Sequence, residues 1–198
     1  MRVIGGTARG RSLKVPKGRV LRPTSGRVKE SLFDILRNEL TGARVLDLFA
    51  GTGNLSIEAL SRGATEAVLV DSSTPSAKAI RENLHRLGLA SRTQFLAMPV
   101  TRALRLLARQ GETFDVIFID PPYERHLIEP ALEIIDKEML LRGLGVAIVE
   151  HSIREPIPLR LENLHLSDQR RYGNTMLSFF RPITQTPSAS QGSVHHVT

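Results

Sequence analysis

The chain has 198 residues, 41% of them hydrophobic, no cysteine, and 27 Lys/Arg against 20 Asp/Glu, for a formal net charge of +7. Such a chain can bury one full core with room for a small appendage, and it has neither disulfides nor thiolate metal sites. The opening MRVIGGTARGRSLKVPKGRV lacks the apolar stretch of a signal peptide and no apolar run approaches a membrane span, so a soluble cytoplasmic protein without a membrane partner is expected.

The basic charge is local. Residues 1–30 carry nine Lys/Arg and one acid, a net of +8, whereas the other 168 carry 18 basic and 19 acidic residues, a net of −1. Positive charge clustered in this way suits a polyanion such as nucleic acid. Gly5, Gly6, Gly10 and Gly18 punctuate the run, and Val3, Ile4, Leu13 and Val15 sit within it. Residues 1–24 therefore read as an ordered basic hairpin extension rather than a solvated charge run. Thr24 or Ser25 can cap a helix reaching about Leu40, with Val28, Leu32, Ile35 and Leu36 on its apolar face.

Strands then alternate with helices. Arg44–Leu48 predicts a strand, Asn54–Ser61 a helix closed by Gly63, Ala67–Val70 a strand, and Pro75–Leu87 a helix stopped by Gly88. Thr93–Leu96, Val100–Arg109, Phe114–Ile119, His126–Met139 and Gly145–Glu150 continue the alternation. Right-handed crossovers make such a chain an α/β, doubly wound, mostly parallel sheet. From Leu159 the pattern changes. LRLENLHL and TMLSFFR, joined through DQRRYGN, predict an antiparallel pair on one edge of the sheet. The main domain spans 25–182, and residues 183–198, rich in Ser, Thr, Gln and Pro, read as a disordered tail in which His195 and His196 are solvated.

RVLDLFAGTGNLSIEAL places Gly51 and Gly53 between the first strand and its helix. Glycine lets a ligand approach the backbone, and ligands of open parallel sheets sit outside the carboxyl ends of the strands. A dinucleotide loop needs a third glycine, where this chain has Ser56. Asp47, inside the strand, would repel a pyrophosphate and suit a cationic amino group. Asp71 ends the second strand, where an acid can accept hydrogen bonds from ribose hydroxyls. A cofactor with an amino acid end, a sulfonium and no phosphate fits this set, which points to S-adenosylmethionine.

DVIFIDPPYERHL, residues 115–127, ends a core strand in an acidic, rigid, aromatic corner. Asp120 and the carbonyl of Pro121 offer acceptors to the two hydrogens of an exocyclic amine, Pro121 and Pro122 fix the backbone, and Tyr123 offers a face for a splayed-out base.

These residues resemble the bacterial small-subunit rRNA guanine-N2 methyltransferases of the RsmD family. The matching stretches are IGGTARGRSL (4–13), LRPTSGRVKESLFDIL (21–36), VLDLFAGTGNLSIEALSRGA (45–64), FDVIFIDPPY (114–123) and YGNTMLSFF (172–180). The resemblance implies a Rossmann-like class I methyltransferase domain with a small N-terminal β-hairpin. It implies S-adenosylmethionine as donor and, as substrate, a guanine of 16S rRNA, of the position-966 type, in maturing small-subunit particles. It places Asp47, Phe49, Gly51 and Gly53 at the methionine end, Asp71 at the ribose, and Asp120, Pro121, Pro122 and Tyr123 at the target base. Arg9, Arg11, Arg22 and Arg27 are the rRNA-contact candidates. No metal is implied, and a monomer without an obligate protein partner is expected. The chain departs from related enzymes at Met98, near the adenine, and at Ser72 and Ser73, after the ribose acid.

Two rival readings share these motifs. A DNA adenine methyltransferase would use the same Asp-Pro-Pro-Tyr corner, although the chain has no evident target-recognition domain. An RNA-binding assembly factor on an inactive scaffold would tolerate loss of the acids, which are all present. Outside the motifs, Glu150 and His151 read as loop residues at the crevice rim, Tyr172 and Gly173 as a turn, and Arg170 and Arg171 as solvated or RNA-facing.

Overall fold

The computed structural model describes residues 1–15, 26–122 and 125–183. One seven-stranded sheet has the order β3-β2-β1-β4-β5-β7-β6. Its parallel part is β1 (Arg44–Asp47), β2 (Glu66–Val70), β3 (Thr93–Leu96), β4 (Phe114–Ile119) and β5 (Leu141–Ser152). On the edge, β7 (Thr175–Pro182) runs antiparallel between β5 and β6 (Leu164–Tyr172). From β1 the chain steps outward through β2 to β3, then returns to β4 on the other side of β1. That reversal puts the crossover helices before it, between β1 and β3, on one face and those after it, between β3 and β5, on the other.

Alternate residues of each strand point to alternate faces, so both faces need cover. On one face Val45, Val116 and Phe118 pack with α1 (Gly26–Ile35), α2 (Asn54–Ser61) and α3 (Thr74–Leu87) through Phe33, Ile57 and Ile80. On the other, Leu46, Ile117 and Ile119 pack with α4 (Val100–Arg109) and α5 (Ile128–Lys137) through Leu104, Leu107, Leu132 and Ile135. Among the described residues no helix is long and apolar enough to cross a membrane.

Four sequence expectations need correction. The first helix ends at Ile35, short of Leu40. Beyond it Arg37 N and Glu39 N donate to Asp34 O and Leu36 O, and these tighter i→i+3 turns accompany full burial of both Leu36 and Leu40. The fifth helix lacks His126 and Met139, which have φ of 51° and 49°, a left-handed backbone that no α-helix contains. Strand β6 starts at Leu164 and carries DQRRY within it. The preceding loop is held because the Asp136 carboxylate accepts from Glu162 N and Asn163 N at 3.2 and 2.8 Å. Finally, Glu150 and His151 lie inside β5, paired with Leu177 and Met176 of β7, and are buried. His151 Nε2 and Ser178 Oγ are hydrogen-bonded at 2.8 Å, and burial lowers the imidazole pKa. Tyr172 closes β6, with Gly173 in the turn at φ 63°. Ile183, where the tail was expected to begin, donates its N–H to Asn163 O at 2.7 Å.

At the N-terminus Arg2 and Ser12 form an antiparallel bridge, with Val3 N donating to Arg11 O and Gly10 N to Val3 O. This hairpin lies on α2. Gly6 has φ 72°, and a Cβ there would fall 1.8 Å from Ser61 O, so only glycine allows the approach. Ser61 Oγ donates to Gly5 O at 2.6 Å and accepts from Ala8 N at 2.8 Å. Beneath the hairpin Glu58, fully buried, accepts from Ile4 N at 2.9 Å, Gly5 N at 2.7 Å, Lys29 Nζ at 2.8 Å and Arg62 Nε at 2.9 Å. Burial alone would raise its pKa, but the hydrogen bonds from Lys29, Ile4 N and Arg62 outweigh burial and hold it below the usual range.

Removing one charge of this pair strands the other in the interior, which typically costs about 3–5 kcal/mol. Glu58→Gln is therefore expected to lose roughly that much in urea unfolding at neutral pH. The double variant Lys29→Met/Glu58→Gln should recover part of the loss.

Candidate functional site

The carboxyl ends of β1, β2 and β4 meet at the point where strand order reverses, and the expected cofactor residues gather there. Asp47 is the last residue of β1, level with Phe118 of β4 and Leu69 of β2. After it Leu48 N donates to Phe118 O and Ala50 N to Val70 O, both at 3.0 Å, so the chain leaves the sheet clasped between its two neighbours. It then turns through Gly51 at φ 58° and Gly53 at φ 78° into α2. A Cβ on Gly53 would sit 3.2 Å from Leu69 Cδ2 and 3.3 Å from Ile57 Cδ1, so helix and strand pack tightly against this glycine. Phe49 is partly buried and packs on the α4 side of the sheet, as does Met98.

Asp71 holds the turn from the side. Its Oδ2 accepts from Gly51 N at 2.9 Å and its Oδ1 from Ser73 N at 2.8 Å. A carboxylate has about four lone-pair sites, so two remain for a ligand's hydroxyls. Asp47 is 1% exposed. Its Oδ2 accepts from Ser56 Oγ at 2.8 Å, and its buried Oδ1 has no hydrogen bond of normal geometry among the described residues. Burial pushes its carboxyl up to about 6 and the negative charge of Asp71 adds to this, while the Ser56 hydroxyl and the amides of Ser56 and Phe49 oppose it. An orphaned carboxylate oxygen beside a glycine turn is an acceptor for a cationic donor. The donor set therefore fits a ligand with an ammonium end and ribose hydroxyls.

Asp120 follows β4 directly and is half-buried, with Pro121 buried and Pro122 exposed. Because β4 pairs with β1, this corner leaves the sheet beside the glycine turn. Tyr123 and Arg22 lie outside the described residues. Arg9, Arg11 and Arg27 are exposed and belong to the N-terminal hairpin and α1. Arg11 Nη2 donates to Arg86 O of α3 at 3.2 Å. Among the described residues no group of three or more His, Cys, Asp or Glu gathers as a metal site requires.

Three residues that matter here were missed in the sequence. By spacing Ser56 reads only as an absent glycine, yet it is a hydrogen-bond partner of Asp47. Lys29 belongs by sequence to the basic patch, yet it is buried and paired with Glu58. The available signal was Glu58 itself, the sole charge in a helix whose eight residues are all buried. Asn83 gave no signal, since an amide on a polar-faced helix is ordinary.

The doubly wound sheet, the glycine turn after β1 and an acid closing β2 define a Rossmann-like methyltransferase of class I. Residues 1–181 match the family described as conserved hypothetical protein 95. The Bacillus subtilis (strain 168) protein named "Putative rRNA methyltransferase YlbH" is 36% identical over 181 residues, 91% of this chain and 98% of that protein. The Escherichia coli (strain K12) ribosomal RNA small subunit methyltransferase D is 31% identical over 188 residues, 95% of this chain and 93% of its own. The solved structure described as "Putative methyltransferase yhhF from Escherichia coli" superposes with a TM-score of 0.82 at 29% identity, covering 93% of this chain and 99% of that one. The chain belongs to this family, that of the ribosomal RNA small subunit methyltransferase D proteins.

The raised Asp47 carboxyl fixes the sign of a pH effect. Between about pH 4 and 6 the folded protein holds a proton that the unfolded chain has lost, so ligand-free stability falls as pH rises through this window. Asp47→Asn is expected to flatten that fall and to raise ligand-free stability at pH 7.5 by on the order of 2 kcal/mol, read by thermal unfolding at pH 4.5 and 7.5. A cationic ligand bound at Asp47 should restore the charged form, so wild-type binding near pH 5.5 should release protons, measured by calorimetry in buffers of different ionisation enthalpy.

Proposed function

We propose that this protein transfers a methyl group from S-adenosylmethionine to the 2-amino group of a guanine in 16S rRNA, presented by maturing small-subunit particles. One observation carries the reading: the parallel pairing of β4 with β1, which puts Asp120 beside the glycine turn and the orphaned oxygen of Asp47. Membership of a family with members named as small-subunit rRNA methyltransferases supports an RNA substrate. The exposed arginines of the N-terminal hairpin support a polyanion.

The residues have distinct work. Asp47 Oδ1 receives the ammonium of the cofactor, Asp71 its ribose hydroxyls, and the Gly51–Gly53 turn lets it lie against the backbone. Bound there, the cofactor supplies an electrophilic methyl on a sulfonium. The guanine amine is a poor nucleophile because its lone pair is delocalised into the ring. Asp120 and the Pro121 carbonyl accept its two hydrogens and so favour a pyramidal nitrogen with its lone pair directed at the methyl. The proline pair holds these acceptors in place before the base arrives, and Tyr123 stacks on the base. As the new N–C bond forms, the S–C bond breaks with its electron pair left on sulfur. The nitrogen then gives up its extra proton to Asp120, which passes it to water. Arg9, Arg11, Arg22 and Arg27 hold rRNA phosphates, with the position-966 guanine as the target that the resemblance implies.

The deciding assay supplies labelled S-adenosylmethionine with under-methylated small-subunit particles, free rRNA or duplex DNA. Label is expected on one guanine amino group of the particles. Asp120→Ala should lower the rate by about 10²–10³-fold, as loss of an oriented polar group commonly does, with S-adenosylhomocysteine affinity unchanged within about two-fold. Label on DNA adenine alone would move the protein to the adenine methyltransferases. Cofactor binding without transfer to any substrate would leave a non-catalytic RNA-binding role.

RNA affinity should also fall steeply with salt. Replacing Arg9 or Arg27 by Ala should reduce the log–log salt slope by about 1 each while leaving cofactor binding alone.

A further inference from the structure

The residues on both sides of Gly53 are tied to the N-terminal segment. Asn83, near the end of α3, is 1% exposed. Its Nδ2 donates to Thr52 O and to Lys14 O, each at 3.0 Å, and its Oδ1 accepts from Lys14 N at 2.7 Å. The amide's two hydrogens are thus divided between the glycine turn and the basic segment. A flipped amide would set its NH₂ against the Lys14 amide, so the three contacts fix one orientation. Thr52 Oγ1 donates to Met1 Sδ at 3.3 Å. On the far side of Gly53, Asn54 Oδ1 accepts from Lys29 Nζ at 2.7 Å, and the same ammonium donates to Arg2 O at 3.0 Å.

From this wiring we infer that Asn83 is a positioning residue: it couples the basic segment to the glycine turn, so that RNA held by the segment and cofactor held at the turn raise each other's affinity. The inference rests on the proposed function for the identity of the two ligands. Gly51 and Gly53 give the turn its shape and also its freedom, and Thr52 between them is held through its carbonyl by Asn83 alone among the described side chains. A ligand that orders residues 12–15 orders Asn83, and Asn83 orders Thr52. The second ligand then meets a turn already fixed. By linkage the effect is reciprocal and of equal size in both directions.

The test is equilibrium dialysis of labelled S-adenosylhomocysteine against wild-type protein, alone and with saturating under-methylated small-subunit particles. The dissociation constant is expected to fall by roughly 5–30-fold when particles are present, the ordinary range for coupled sites. In Asn83→Ser and in Asn83→Asp, which keeps the shape but loses the donors, the factor should shrink to about two-fold or less, with each ligand still bound separately. Wild-type protein that binds both ligands with no change in constant overturns the coupling and leaves the proposed function standing. A variant that keeps the wild-type factor overturns the role of Asn83. Wild-type protein that binds no S-adenosylhomocysteine sinks the proposed function and the coupling together. Should neither variant fold, hydrogen exchange on the wild type decides. Slower exchange of the 51–54 amides on adding particles is expected, and unchanged exchange overturns the inference.

Discussion

The buried pair of Lys29 and Glu58 is the constraint on which the arrangement of the N-terminal third depends. Taking two charges out of water is costly unless every remaining donor and acceptor is met. Here they are met. The Lys29 ammonium donates to Glu58, Asn54 and Arg2, and Glu58 accepts from two backbone amides and two side chains. Four pieces of chain therefore have one compatible placement: the hairpin, α1, the start of α2, and the end of α2 through Arg62. An apolar contact at this spot would tolerate sliding. A fully bonded ion pair does not, and Asn54 at the start of α2 is fixed with it.

The second buried carboxylate obeys the opposite logic. Asp47 has one oxygen bonded by Ser56 and the other with no hydrogen bond of normal geometry among the described residues, and burial raises its pKa. The protein thus carries an unmet electrostatic need at the end of β1, where a fully satisfied acid would be more stable and of no use to a cationic ligand. Glu58 and Asp47 lie in consecutive elements and are both buried, and what separates them is that Glu58 has the cations Lys29 and Arg62 beside it whereas Asp47 has the negative Asp71.

Much of this was legible from local pattern. The strand and helix alternation, the switch point and the Asp47, Gly51, Gly53, Asp71 and Asp120 set follow from hydrophobic periodicity and from where glycines and acids interrupt it. The errors have a common origin. His126 and Met139 look helical by composition and adopt positive φ only because the chain must turn into and out of α5. Glu150 and His151 look like a rim because charge usually ends a strand. They are interior because β7 returns antiparallel against that end of β5.

The class of fold is written in local pattern, since a period of two or of 3.6 residues and the turn glycines are properties of neighbours along the chain. Local pattern also determined which acids are available at the carboxyl ends of the strands. Which charges lie inside depends on how the elements pack. Lys29 reads as one more positive charge until α1 is laid over α2, and Asn83 reads as a surface amide until the basic segment passes between it and solvent. Both roles depend on contacts between residues 25 to 69 positions apart, and no local pattern encodes a partner at that separation.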